Sequence, residues 1–250
     1  VSSPYPILTN GLATSQGIYD VETSEVVPVG TRAALGDGRV YYYARSSSSA
    51  ILAAGAMNRM PAVSVDHDII AITTQVVGDT TIGVTPVGTA VYTANSLAGG
   101  FITIHTGTTG AGIAYKIKSN PLTVAATEYT VTLYDPIAVA IHADCTATVT
   151  QNPWMDVLIS ATGVAQTFAG VSNIAVPAGD TTAQYFWCQT WGVCAVKHDL
   201  ATATGGVVSG GATVAGEVQV SATDGSQALG VNLFTAAASA FNPTFLTIAP

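Results

Sequence analysis

The feature that most constrains this chain is a period of two in its apolar residues, which begins near Ala62 and recurs almost to the C-terminus. Side chains alternate faces along a β-strand, so an apolar residue at every second position marks a strand with one buried face. Val63, Val65, His67, Ile69 and Ala71 fall on one face, and Ser64, Asp66 and Asp68 on the other. Ile113, Tyr115 and Ile117 oppose Lys116 and Lys118. Tyr129, Val131 and Leu133 alternate with Thr130 and Thr132, and Ile137, Val139 and Ile141 with Ala138, Ala140 and His142. Cys145, Ala147 and Val149 alternate with threonines. Further strands are predicted at Phe101 to His105, at Val157 to Ser160, at Tyr185, Trp187, Gln189 and Trp191 on one face, and at Val214, Gly216, Val218 and Val220. The glycine-rich stretch Gly107 to Gly112 predicts a hairpin loop. Many short strands between Gly, Pro and Asn turns predict a mainly β protein, an antiparallel sandwich or barrel of jelly-roll or β-tulip-like kind.

The first 60 residues read differently. Pro4, Pro6 and Pro28 interrupt pairing in Val1 to Gly30, and Asn10-Gly11 is a turn signal. Residues 1–30 are therefore predicted to form an extended N-terminal arm, with residues 31–250 as a β-rich body of one lobe or two small ones. Gly36-Asp37-Gly38 marks a tight turn before a tyrosine-dense strand from Arg39 to Arg45. Ser47 to Met60 carries the signals of one short helix: Ser48 or Ser49 as a cap, Ala and Leu within, and Pro61 as a stop.

Composition narrows the function. Charged residues make up 9% of the chain, against about 25% in an ordinary domain. A surface so poor in charge suits a protein covered by neighbours, because charge is what usually keeps monomers apart. The net charge is −8 with no basic cluster, which argues against a nucleic-acid partner. Three cysteines do not form a disulfide framework and fit assembly in a reducing host cytoplasm. The opening Val-Ser-Ser-Pro gives no expectation of a signal peptide, and no unbroken apolar run is long enough to predict a membrane span.

The candidate chemical clusters are weak. Asp66-His67-Asp68 places its imidazole and its carboxylates on opposite strand faces, which predicts a core histidine. Cys188, Cys194, His198 and Asp199 match no common zinc spacing, and the flanking Trp187 and Trp191 point to packing. His142, Asp144 and Cys145 lie in an alternating strand pattern. No serine sits in a nucleophile elbow, and the Gly107 loop lacks the lysine of a phosphate loop. Asp37 and Asp180 read as turn residues. Tyr185-Phe186-Trp187 with Trp191 suits either a sugar platform or a core, and the buried area favours the core. The prediction is a protein that is not an enzyme, with no catalytic residue, cofactor or metal.

Three stretches carry a resemblance. They are Gly30-Thr31-Arg32-Ala33-Ala34-Leu35-Gly36-Asp37-Gly38-Arg39-Val40-Tyr41, the Ala54-Gly55 step, and Gln184-Tyr185-Phe186-Trp187-Cys188-Gln189-Thr190-Trp191-Gly192. In that order they resemble small virion structural proteins of tailed phages. The resemblance implies a capsid decoration or cement protein, present in many copies on the outer surface of the virion. Such a protein bridges major capsid protein subunits, often as a trimeric homo-oligomer. Tyr5, Ile7, Leu8, Ile18 and Tyr19 in the arm, and Phe241 and Phe245 in the uncharged tail from Gly225 to Pro250, are the apolar residues expected to make assembly contacts. A tail or fibre component of the virion is a second reading. A secreted carbohydrate-binding module or polysaccharide-active enzyme is a third.

Overall fold

Strands supply nearly all the regular structure. The computed structural model describes residues 4–47, 51–163, 166–178, 182–221, 227–235 and 237–250. The chain divides into two compact units, one made of Val1–Pro61 with Pro153–Pro250 and the other of Ala62–Asn152. The second is thus an insertion in the first. The two strands that lead into and out of it, Ala56–Arg59 and Leu158–Ile159, pair antiparallel with Leu158 opposite Arg59.

In chain order the first unit begins with β1 (Ile7–Leu8), β2 (Arg32–Ala34), β3 (Val40–Arg45) and β4 (Ala56–Arg59). The insertion contains β5 (Ile70–Ile72), β6 (Thr81–Thr85), β7 (Phe101–Thr106), β8 (Ala114–Ser119), β9 (Tyr129–Leu133) and β10 (Thr146–Thr150). The first unit resumes with β11 (Leu158–Ile159), β12 (Phe168–Ser172), β13 (Tyr185–Lys197), β14 (Val207–Gly210), β15 (Val218–Val220), β16 (Gly230–Asn232) and β17 (Phe241–Thr247).

The insertion is a closed antiparallel barrel in the order β10-β5-β6-β9-β8-β7. Closure removes free edges, and a barrel this small is filled by its own side chains. Ile70, Ile82, Ile102, Ile117, Val131 and Val149 are buried inside it. The alternation predicted for residues 113–118, 129–133 and 145–149 places Tyr115, Ile117, Tyr129, Val131, Leu133, Cys145, Ala147 and Val149 in this core.

Among the described residues the first unit forms an 11-stranded sheet whose main path runs β1-β2-β3-β13-β17-β16-β14-β15. β13 organises it. Its first half pairs with β3, from Tyr185 opposite Arg45 to Trp191 opposite Val40, and its second half pairs with β17. Trp187 and Phe186 of this strand enter two different buried clusters, Trp187 with Ile18, Tyr41 and Tyr43, and Phe186 with Ala44, Leu52 and Val157.

Several expectations need correction. Residues 51–60 of the predicted helix are not helical: Gly55 has φ +69 and Ala56–Arg59 is a strand paired with β12 and β11. The burial of Met57 against Phe168 and Val171 outweighs helix propensity there. The proposed caps Ser48 and Ser49 lie outside the described residues. The inward face predicted from Val63 to Ala71 holds only at His67. Val65–His67 forms a short 3-10 turn and Ile69 is left-handed at φ 51, so Ile70 and Ile72 face inward while Val65, Ile69 and Ala71 face out. Residues 137–141 form turns that bury Ile137 and Ile141 but no strand. The strand expected from Val214 begins only at Val218, because Gly216 is left-handed at φ +80.

The arm, from residue 4 on, folds onto its own unit. β1 pairs with β2, and Ile18 is fully buried beside Tyr43 and Trp187. Gln16 ties it down: its side chain donates to the carbonyls of Asp20 and Tyr185 and accepts from the Tyr43 hydroxyl at 2.7 Å. Its own carbonyl accepts from the Trp187 indole at 3.1 Å. Tyr41, Tyr43 and Trp187 of the same unit thus cover Ile18 and Leu8 of the arm, while Tyr5, Ile7 and Tyr19 remain exposed.

Candidate functional site

The residues expected to make assembly contacts separate into two groups. Ile18 is core, and Leu8 is half-buried against the same cluster. Phe245 is half-buried on β17, with its ring edge-on to Trp191 at 5.8 Å between centroids. Tyr5 and Ile7 are exposed. Tyr19 and Phe241, from opposite ends of the chain, are also exposed and line one recess of about 250 Å³ in the first unit.

The recess is built from the turn before β4, the β13 strand and the start of β17. Gly55 is required at its wall, since a Cβ there would stand 2.6 Å from the Phe241 ring. Asn173 and Gln189 lie at its base with Cys194. Their hydrogen bonds turn inward: Asn173 donates to Gln189 Oε1 at 2.9 Å, and Gln189 donates to the carbonyls of Trp191 and Val193. The Cys194 thiol donates to Asn173 Oδ1 at 3.2 Å. Burial pushes that thiol up to about 12, so it is a neutral donor and not a nucleophile at ordinary pH. Arg39 is neutralised by Asp37 at 2.8 Å. The recess is therefore an aromatic-rimmed, charge-balanced hollow, chemically suited to a neutral side chain or small neutral group.

The sequence clusters do not converge. Asp66 accepts from the Ala90 amide at 2.7 Å, Asp68 accepts from the Thr148 hydroxyl at 2.5 Å, and His67 points into the barrel between Tyr92 and Tyr129. Burial holds the His67 imidazole below its ordinary range despite nearby Asp66. His198 lies between the Thr202 and Thr244 hydroxyls, and Asp199 binds Thr213, while Cys188 is buried in the Phe186 cluster. Asp144 accepts from the Thr108 amide and hydroxyl, fixing the Gly107 loop, and Cys145 donates to the Thr109 carbonyl. Among the described residues no three His, Cys, Asp or Glu side chains gather as metal ligands. Trp187 is buried and offers no face to a sugar.

The residues that sequence reasoning missed are Gln16, which anchors the arm, and the exposed aliphatics of the barrel loops. Among the latter, Val65 is exposed at 81%, although alternation alone places it inside. Pro86 and Pro121, each opening an irregular segment, were the available signal for such loops. Compared with known proteins, the chain matches no family model, no curated protein and no solved structure.

Proposed function

We propose that this chain is a non-enzymatic structural subunit of a phage virion, decorating the outer capsid and stabilising it by bridging major capsid protein subunits as a homo-oligomer. The observation that carries the reading is the coexistence of exposed large apolar side chains on both units with a charged fraction of only 9%. Such a surface is costly for a free monomer and is satisfied when neighbours cover it. Tyr19 and Phe241 around the recess, Phe234 on the loop before β17 and the barrel-loop aliphatics are the parts it offers. The closed barrel supports the same role, since it presents loops without presenting a free sheet edge. The virion setting rests on the three resembling stretches, of which Gly30 to Tyr41 forms β2, its turn and the start of β3, and Gln184 to Gly192 contains the first eight residues of β13.

The test is to purify virions that carry this chain and locate it by electron cryomicroscopy. Density for it on the outer shell, spanning neighbouring capsomers, is the expected result. Its absence from particles, or a position in the tail, ends the decoration reading. The recess gives the carbohydrate reading a separate test: glycan-array binding by the isolated protein, abolished in Phe241→Ala, would favour it.

A further inference from the structure

The outer wall of the barrel carries a row of side chains whose placement is fixed by strand register. Phe101 of β7 lies directly opposite Lys116 of β8, and directly opposite residues of an antiparallel pair share a face. On the other side of β8 the Tyr134 amide donates to the Lys116 carbonyl at 3.0 Å, and the Lys116 ammonium stands over the Tyr134 ring, 5.5 Å from its centroid. Lys118 follows two residues along β8, with buried Ile117 between, and faces the same way. Three neighbouring segments thus present aromatic, cation and aromatic in line, with a second cation about 7 Å along the strand. Phe101, Lys116, Lys118 and Tyr134 are all exposed.

Neither lysine is neutralised within the protein. The ion pairs among the described residues are Arg39 with Asp37, Arg45 with Asp156, and Lys197 with Glu217. Lys116 and Lys118 therefore have no acid partner there, in a chain with 15 acids and only 7 bases. The two aromatic rings are not needed to fill the barrel either. Its core is filled from the opposite face of the same strands, by Ile102, Tyr115, Ile117 and Leu133.

We infer that this row binds a carboxylated glycan, with sugar rings against Phe101 and Tyr134 and carboxylates at Lys116 and Lys118. Exposed aromatic rings offer an apolar body to the C–H face of a sugar, and Thr103 and Thr132, which face outward on β7 and β9, offer hydroxyls beside them. Lysine is depleted at the centres of protein–protein contacts, whereas here a lysine is the centre. A nucleic acid calls for a longer basic track, and a net charge of −8 repels so dense a polyanion. A glycan with spaced carboxylates matches two ammonium groups. A site this open buries little area, so one copy binds weakly, and several copies held together bind tightly through avidity. The site lies wholly within the barrel unit and is independent of the virion reading: a chain absent from particles keeps it.

Isothermal titration of the full chain with tetramers of galacturonate and of mannuronate, at low and at physiological salt, tests this. The expected result is saturable binding of at least one tetramer that weakens as salt rises. Binding falls at least tenfold in the Lys116→Gln, Lys118→Gln double variant and in Phe101→Ala, with thermal midpoints like that of the wild type. Methyl-esterified tetragalacturonate, which keeps the rings and loses the charge, binds at least tenfold more weakly than the acid. If Phe101→Ala folds poorly, Tyr134→Ala, just beyond the end of β9, carries the same test of the rings. No saturable binding of either tetramer, or binding unchanged in the folded lysine variant, overturns the inference. Equal binding of an oligothymidylate, indifferent to the loss of either ring, shows plain charge attraction and overturns it as well. Loss in Phe241→Ala with binding kept in the lysine variant places the sugar in the recess of the first unit and overturns it too.

Discussion

At the scale of single residues, burial decides what each titratable or reactive group does. His67 has neither ring nitrogen hydrogen-bonded among the described residues, and His198 is fully buried. For both, burial lowers the pKa, outweighing the pull of Asp66 on His67 and of Glu217 on His198. The unfolded chain, with imidazoles near 6.5, takes up protons first as pH falls. Stability is then complete above that value and declines below it. Urea unfolding is expected to give a constant midpoint from neutral to mildly alkaline pH and a falling one on acidification through the histidine range. His67→Phe should remove part of that fall. Cysteine reactivity belongs to the same scale. Burial raises the thiols of Cys188 and Cys194, so native protein should resist alkylation at both positions at pH values where denatured protein is modified rapidly, as mass spectrometry of peptides will read. Trp187, fully buried and hydrogen-bonded to Gln16, should cost about 3–5 kcal/mol on truncation to alanine. Phe241→Ala, at an exposed rim, should leave stability nearly unchanged.

At the scale of elements, the arm and the bulged strand β12 show where local pattern and tertiary contact part company. The first 30 residues carry prolines and no sustained period, yet they pair through β1 and bury Ile18. Deleting residues 1–30 is therefore expected to lower the thermal midpoint of the protein sharply, because Trp187, Tyr41 and Tyr43 lose the cover of Ile18 and Tyr43 loses its Gln16 partner. An unchanged midpoint in calorimetry would return the arm to the role of a free tether. Gly170 stands at the irregularity between Phe168 and Val171, with φ +136, and a Cβ there would lie 2.5 Å from the Gln189 carbonyl oxygen. Gly170→Ala is expected to destabilise by more than about 1 kcal/mol, from backbone strain and the clash together, whereas Gly112→Ala meets no neighbouring atom and pays only for its left-handed backbone.

At the scale of the whole molecule, the insertion is the organising fact. The barrel has its own buried core and its own closed ladder. Its entry and exit strands β4 and β11 are paired within the first unit. Residues Ala62–Asn152 expressed alone are expected to fold cooperatively, and a chain in which a short Gly/Ser turn replaces them is expected to keep the β3–β13–β17 sheet. Circular dichroism and amide exchange on the two pieces check this. Loss of cooperative unfolding in either would show that the two units depend on each other for stability.

The sequence by itself determined the β class, most of the barrel strands and the inward residues on them, because a half-buried strand writes its burial into every second side chain. The turn at Gly36-Asp37-Gly38 was legible for the same local reason, and Gly38 is left-handed at φ +87. Tertiary structure alone decided the rest. The segment around Met57 became a strand because its partners β11 and β12 come from more than 90 residues away in the chain. The arm became core because Gln16 meets Tyr43, Tyr185 and Trp187. Val65 turned outward where a 3-10 turn replaces extended backbone, and left-handed Ile69 resets the alternation after it, so that Ile70 and Ile72 face in. Each of these outcomes depends on contacts between distant segments, and local periodicity holds no record of them.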